Sequence, residues 1–143
     1  MRGNRVLAVV SAAQLASGLG GMVLGIRRRH AFDIPFWQGQ QSTVGRDSVL
    51  MGTALSAPVV MLAAQAWAIV ALFQRPNTAA ERTLGGLGAT MVAGYLAERL
   101  VRQRLAPSGW DVAETPVLAG GMCLAAAMAL IGLRPASTQA EIG

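Results

Sequence analysis

The residues best suited to chemistry fall in two clusters, each just ahead of an apolar run: Ser42, Thr43, Arg46 and Asp47 before Ser48, and Asp111, Glu114 and Thr115 before Pro116. Two carboxylates near Arg46 can flank a phosphate-bearing substrate, with a helix N-terminus supporting the anion. The same residues serve as ordinary solvated loop charge, and this reading is favoured because no catalytic, metal or nucleotide motif accompanies them. No catalytic residue is assigned and no enzymatic activity is expected. The single histidine, His30, and the single cysteine, Cys123, leave too few ligands for a zinc site of the usual Cys and His type. No metal or cofactor is expected. Cys123 cannot form an intramolecular disulfide, so the redox compartment stays open.

The other polar candidates lie inside apolar sequence. Gln14 and Gln65 are each eight residues from the terminus-side end of their run. At about 1.5 Å per helical residue they sit about 12 Å deep, at the same level in antiparallel helices. A hydrogen bond between them would act as interhelical glue, contributing roughly 0.6–2 kcal/mol; a contact to a polar ligand is the alternative. Small residues recur at four-residue spacing as Ala13, Ser17, Gly21 and Gly25, as Gly86, Thr90 and Gly94, and as Gly121, Ala125 and Ala129. Such stripes let helices approach closely, within a bundle or against another subunit.

The elements that carry these residues are apolar helices. Of the 143 residues, 53% are hydrophobic and only 13% charged, about half the charge of an ordinary globular domain, roughly 25%. Crossing a hydrocarbon core of about 30 Å takes about 20 helical residues. The sequence therefore predicts an all-α integral membrane bundle of four transmembrane helices, at about 6–26, 48–73, 83–101 and 115–133, forming a single domain over 1–143. The third run is short, and its flanking Arg82 and Arg99 can snorkel while Leu100 and Val101 extend it. Pro58 falls within the second span and predicts a kink. Thr78 with Glu81 reads as a capping box, and Thr115 as the cap ahead of Pro116. Arg2 and Arg5 before the first run resemble a signal peptide, but the run continues too far for a cleavable one and is read as a span.

All twelve basic residues are Arg, and the net charge is +5. They sit between apolar runs rather than along one face, which argues against nucleic acid and for membrane loops. Loops one and three carry seven Arg against five on the other side, so the positive-inside rule places those loops in the cytoplasm and both termini outside. The exclusive use of Arg, with abundant Ala and Gly, suggests a bacterial source and hence the plasma membrane. No Asp, Glu, Lys, Arg or His lies near the middle of a span, which counts against ion-coupled transport. Glu98 and Arg102 read as a surface pair at the membrane edge.

Loop one sets Arg27, Arg28 and Arg29 beside Phe32, Phe36 and Trp37, with Arg46 further along. With Trp110 in loop three, these residues are expected at the lipid headgroups. Pro35, Trp37 and Asp47 after the first span echo Pro107, Trp110 and Asp111 after the third, a pattern that duplicated hairpins would give and that convergent loop composition explains more simply. The expected function is that of a non-enzymatic accessory or structural subunit packing with other membrane helices. Binding or transport of a small apolar or lipid-like molecule between the helices is the alternative, and an enzyme acting on a lipid is third. Expected partners are membrane lipids and a membrane-protein partner or a second copy of the chain.

Overall fold

A computed structural model describes residues 2–28, 33–34, 37–38 and 57–134. Helix α1, Arg2–Arg27, is followed by a two-residue antiparallel ladder, β1 (Asp33–Ile34) with β2 (Trp37–Gln38). Helices α2 (Val59–Gln74), α3 (Thr78–Ala97), α4 (Arg99–Leu105) and α5 (Glu114–Gly132) complete the order, with a 3-10 turn, Pro107–Gly109, between the last two. Apart from this two-residue ladder the described chain is helical, in agreement with the all-α expectation.

Helix α1 packs against α2 and α5, and α3 against the same two, so α1, α2, α3 and α5 close a four-membered ring. Neighbours run antiparallel. Arg28 at the end of α1 meets Glu114 at the start of α5. Gly18 lies against Leu62 of α2, and Gly85 of α3 against Gly132 of α5. Helix α4 and β1 lie beside each other at the end of the bundle where α1 finishes.

Two helices, residues 4–27 and α5, are long and apolar enough to cross a membrane, and only a third of each is buried within the protein. Helix α2 is apolar but has 16 residues, about 24 Å at about 1.5 Å each.

Three boundaries differ from those read in the sequence. Pro58 does not kink a continuing helix; it caps the start of α2, where its carbonyl accepts from the N–H groups of Met61 and Leu62. A proline at a helix start gives up a donor that would be unpaired there anyway. The expected part of this span at 48–56 lies outside the described residues. Helix α3 begins at Thr78, five residues earlier than 83, because Asn77 is the cap: its Oδ1 accepts from the Ala80 N–H at 3.1 Å. It also stops earlier, since Glu98 is extended (φ −71°, ψ 125°) and the chain restarts as α4.

Two apolar clusters fill the interior. Leu7, Ala8, Ala68, Ile69, Leu72, Ala80, Leu84 and Met128 form one, and Leu62, Met91, Tyr95, Val101, Leu118 and Ala125 the other. Ser11, Gln14 and Gln65 lie between them in sequence along α1 and α2, and all three are fully buried. The interior therefore has a polar layer between two apolar ones.

Candidate functional site

Among the described residues, the carboxylate that joins the most separate segments is Glu114, at the first turn of α5. Its side chain is fully buried, and each oxygen meets a guanidinium: Oε1 accepts from Arg28 Nη1 at 2.6 Å, and Oε2 from Arg104 Nε at 2.7 Å. Arg28 Nη1 also reaches Asp111 Oδ2 at 3.0 Å. One carboxylate so ties the end of α1, the α4 segment and the start of α5 together.

Local hydrogen bonds explain how the sequence holds this arrangement. Asp111 Oδ1 accepts from the backbone N–H of Glu114 at 2.8 Å and of Ala113 at 2.9 Å, satisfying donors that the first turn of a helix leaves unpaired. The Thr115 hydroxyl accepts from the Asp111 N–H and donates to the Arg104 carbonyl. Thr115 was expected to cap α5; instead Asp111 takes that role and Thr115 braces it. Arg104 Nη1 donates to the Gly109 carbonyl. Arg102, expected to form a surface pair with Glu98, donates to the Leu96 and Ala97 carbonyls at 2.7 and 2.5 Å. It thereby covers the end of α3, and Glu98 is buried rather than at the surface.

The electrostatics follow from these contacts. The Glu114 backbone N–H, then the Arg28 guanidinium, stabilise ionised Asp111 and hold its pKa down at about 2. Arg28 is raised by its hydrogen bonds to Asp111 and then Glu114. The folded-state pKa of Asp111 lies below its unfolded value, so its contribution to stability is fully present above about pH 4 and is lost as pH falls toward 2. The melting temperature of the wild-type protein should therefore fall between pH 4 and pH 2 more steeply than that of Asp111→Asn. Parallel pH profiles for the two proteins would show that Asp111 does not couple to folding.

Deeper in the bundle, Gln65 Nε2 donates to Gln14 Oε1 and to the Ser11 carbonyl, each at 2.8 Å, and lies 3.6 Å from Met128 Sδ. The structure brings Gln14 and Gln65 together across α1 and α2. Of the first small-residue stripe, Gly21 and Gly25 are buried, Ser17 donates to the Val117 carbonyl at 3.2 Å, and Ala13 is exposed.

The second stripe lies off the face that α3 turns to the bundle. Within the chain, α3 packs through Gly85 and Gly88, not Gly86, Thr90 and Gly94. A Cβ added at Gly86 or Gly94 meets nothing within 4 Å, and Thr90 is exposed, bonding only back to the Gly86 carbonyl. The packing face is one residue away, about 100° around the helix, where Leu84, Met91 and Tyr95 also turn inward. Gly121 and Ala125 of the third stripe are buried against this core, and Ala129 lies beside Gly88.

Of the residues expected at lipid headgroups, Arg27 and Trp110 are exposed and Arg28 belongs to the ion-pair network. Arg29, Phe32, Phe36 and Arg46 lie outside the described residues, and Trp37 is described only through its strand pairing. The sequence reading missed the pairing of Glu114 with two arginines 10 and 86 residues away. The available signal was a carboxylate at the mouth of one apolar run and arginines at the mouths of two others. No family model, curated protein or solved structure matches the chain.

Proposed function

We propose that the chain is a four-span membrane protein of the bacterial plasma membrane, acting as a non-enzymatic accessory or structural subunit that packs with other membrane helices. The observation that carries this reading is the exposure of large apolar side chains around a bundle that buries uncharged polar ones. Val9, Leu19 and Val23 on α1, Trp67, Val70 and Phe73 on α2, Leu96 on α3 and Leu130 on α5 are exposed, while Ser11, Gln14 and Gln65 are fully buried. An apolar surface on every long helix is costly in water and favourable in lipid, where polar side chains turn inward to hydrogen-bond. A buried helix in a water-soluble core would be enclosed over most of its length, whereas only a third of the most apolar stretch of each long apolar helix here is fully buried.

The α3–α5 contact supports a packing role over a ligand held between helices. Cβ atoms at Gly85, Gly88 or Gly132 would come within 2.6–2.9 Å of the facing helix, so backbone meets backbone and nothing fits between these two helices. At the surface, the flat α3 face of Ala89, Thr90, Ala93 and Gly94 is exposed, and close-approach surfaces of this kind suit a partner helix.

Membrane topology tests the reading directly. In a background with Cys123→Ala, a cysteine at Ser108 should resist a membrane-impermeant thiol reagent in intact cells, and one at Pro76, at the opposite bundle end, should react. Equal labelling of both positions, or recovery of the chain in the soluble fraction, would overturn the four-span model.

A further inference from the structure

Three polar atoms in the middle layer of the bundle have no hydrogen-bond partner among the described residues: Ser11 Oγ, Gln14 Nε2 and Gln65 Oε1. Their side chains are all 0% exposed, so surrounding solvent or lipid does not reach them. They belong to one cluster. Gln65 Nε2 uses one hydrogen on the Ser11 carbonyl and the other on Gln14 Oε1, which leaves Gln14 Nε2 and Gln65 Oε1 as the remaining amide atoms of the bonded pair. Ser11 lies one helical turn from Gln14 on the same helix.

Turning the amides over does not relieve them. Reversing Gln65 would set its oxygen against the Ser11 carbonyl, and reversing Gln14 alone would set two NH₂ groups face to face. The Ser11 carbonyl, which can only accept, therefore fixes both orientations. What is left over is complementary: Gln14 offers a donor, Gln65 an acceptor, and the Ser11 hydroxyl can be either. A species satisfying all three must donate and accept at once and be small enough to sit among packed side chains.

We propose that Ser11, Gln14 and Gln65 form an internal binding site for a single water molecule. The water accepts from Gln14 Nε2, donates to Gln65 Oε1 and makes its third hydrogen bond with Ser11 Oγ, a coordination of about three that is usual for buried water. It turns the two direct bonds that Gln65 makes to α1 into a closed polar network, at a level where leaving these groups unpaired would carry a full desolvation penalty.

The test uses the full-length, isotopically labelled protein in detergent micelles and does not depend on the role proposed above. Cross-relaxation between water and the side-chain NH₂ of Gln14 should be present, with the sign that marks a long-lived bound water. It should weaken in Ser11→Ala and in Gln65→Leu, each of which removes one partner of the water and keeps the Gln14 NH₂ as the reporter. No water cross-peak at Gln14 in the wild-type protein would overturn the proposal, as would cross-peaks from that NH₂ to detergent or lipid protons instead. Because the decisive measurement is on the wild-type protein, poor folding of either variant leaves the proposal open to refutation.

Discussion

Gly88→Ala should destabilise the bundle by about 1–3 kcal/mol, the usual cost of overpacking a tight contact, while Gly86→Ala should leave stability unchanged or raise it. The two positions share a helix and a substitution, so only their surroundings differ. In a helix interior, alanine is ordinarily favoured over glycine by roughly 0.5–1 kcal/mol because glycine loses more backbone freedom on folding. At Gly86 the added methyl meets nothing within 4 Å, and that intrinsic gain is all that remains. At Gly88 it would lie 2.6 Å from the Ala125 carbonyl oxygen, 2.7 Å from the Ala129 nitrogen and 2.8 Å from Met128 Cβ. Two of these are backbone atoms in the middle of α5, so the methyl fits only if the helices separate. Separation would also disturb the contact of Gly85 with Gly132, where the facing backbone is equally close. Thermal unfolding of the two variants in one detergent should thus show shifts of opposite sign, or a large loss against no change. Equal shifts would mean that α3 does not meet α5 through this face.

Glu114→Gln should cost about 2–3 kcal/mol and loosen the end of the bundle where α1, α4 and α5 meet. The substitution preserves shape and buried volume but removes the negative charge that two guanidiniums share. Gln offers one acceptor oxygen where the carboxylate has two, so either Arg28 or Arg104 must lose its bond at 2.6 or 2.7 Å, and the amide NH₂ then faces a cation. Both arginines retain partial access to solvent, at 39% and 27% exposure, which places the loss below the range for breaking fully buried ion pairs, about 3–5 kcal/mol. Hydrogen exchange should rise at the start of α5 and in α4, with α2 unaffected. A uniform change over the whole chain, or none, would show that Glu114 does not fasten this end locally. Asp111→Asn is the milder comparison, because it keeps an oxygen able to accept from the Glu114 N–H.

Several features could be read before any coordinates because they depend only on local composition. The placement of four apolar runs follows from the absence of charge over stretches of helical length, and helices α1 and α5 agree with the runs read at 6–26 and 115–133 to within a few residues. Gln14 and Gln65 could be matched in depth because rise per residue is constant along a helix, and the two amides are in fact hydrogen-bonded. The ends of α2 and α3 were harder to read. An apolar run continues through Pro58 and its upstream neighbours regardless of where a backbone donor is missing, and hydropathy does not register Asn77 as a better cap than Thr78.

Hydropathy, rise and turn angle are properties of single segments, so the order of residues already specifies which segments form long apolar helices and which polar residues those helices carry. The tertiary structure decided which side of α3 packs, that Asp111 and Glu114 receive Arg28 from the far end of the chain, and that Ser11 joins the glutamine pair through its carbonyl. Gly85 and Gly86 differ by about 100° of helix rotation, and four-residue spacing favours either one equally. That rotation is set when Leu84, Met91 and Tyr95 enter the core and the α3 backbone closes on α5. Pairings across 83 and 86 residues of sequence exist only once that closure brings the helix ends together.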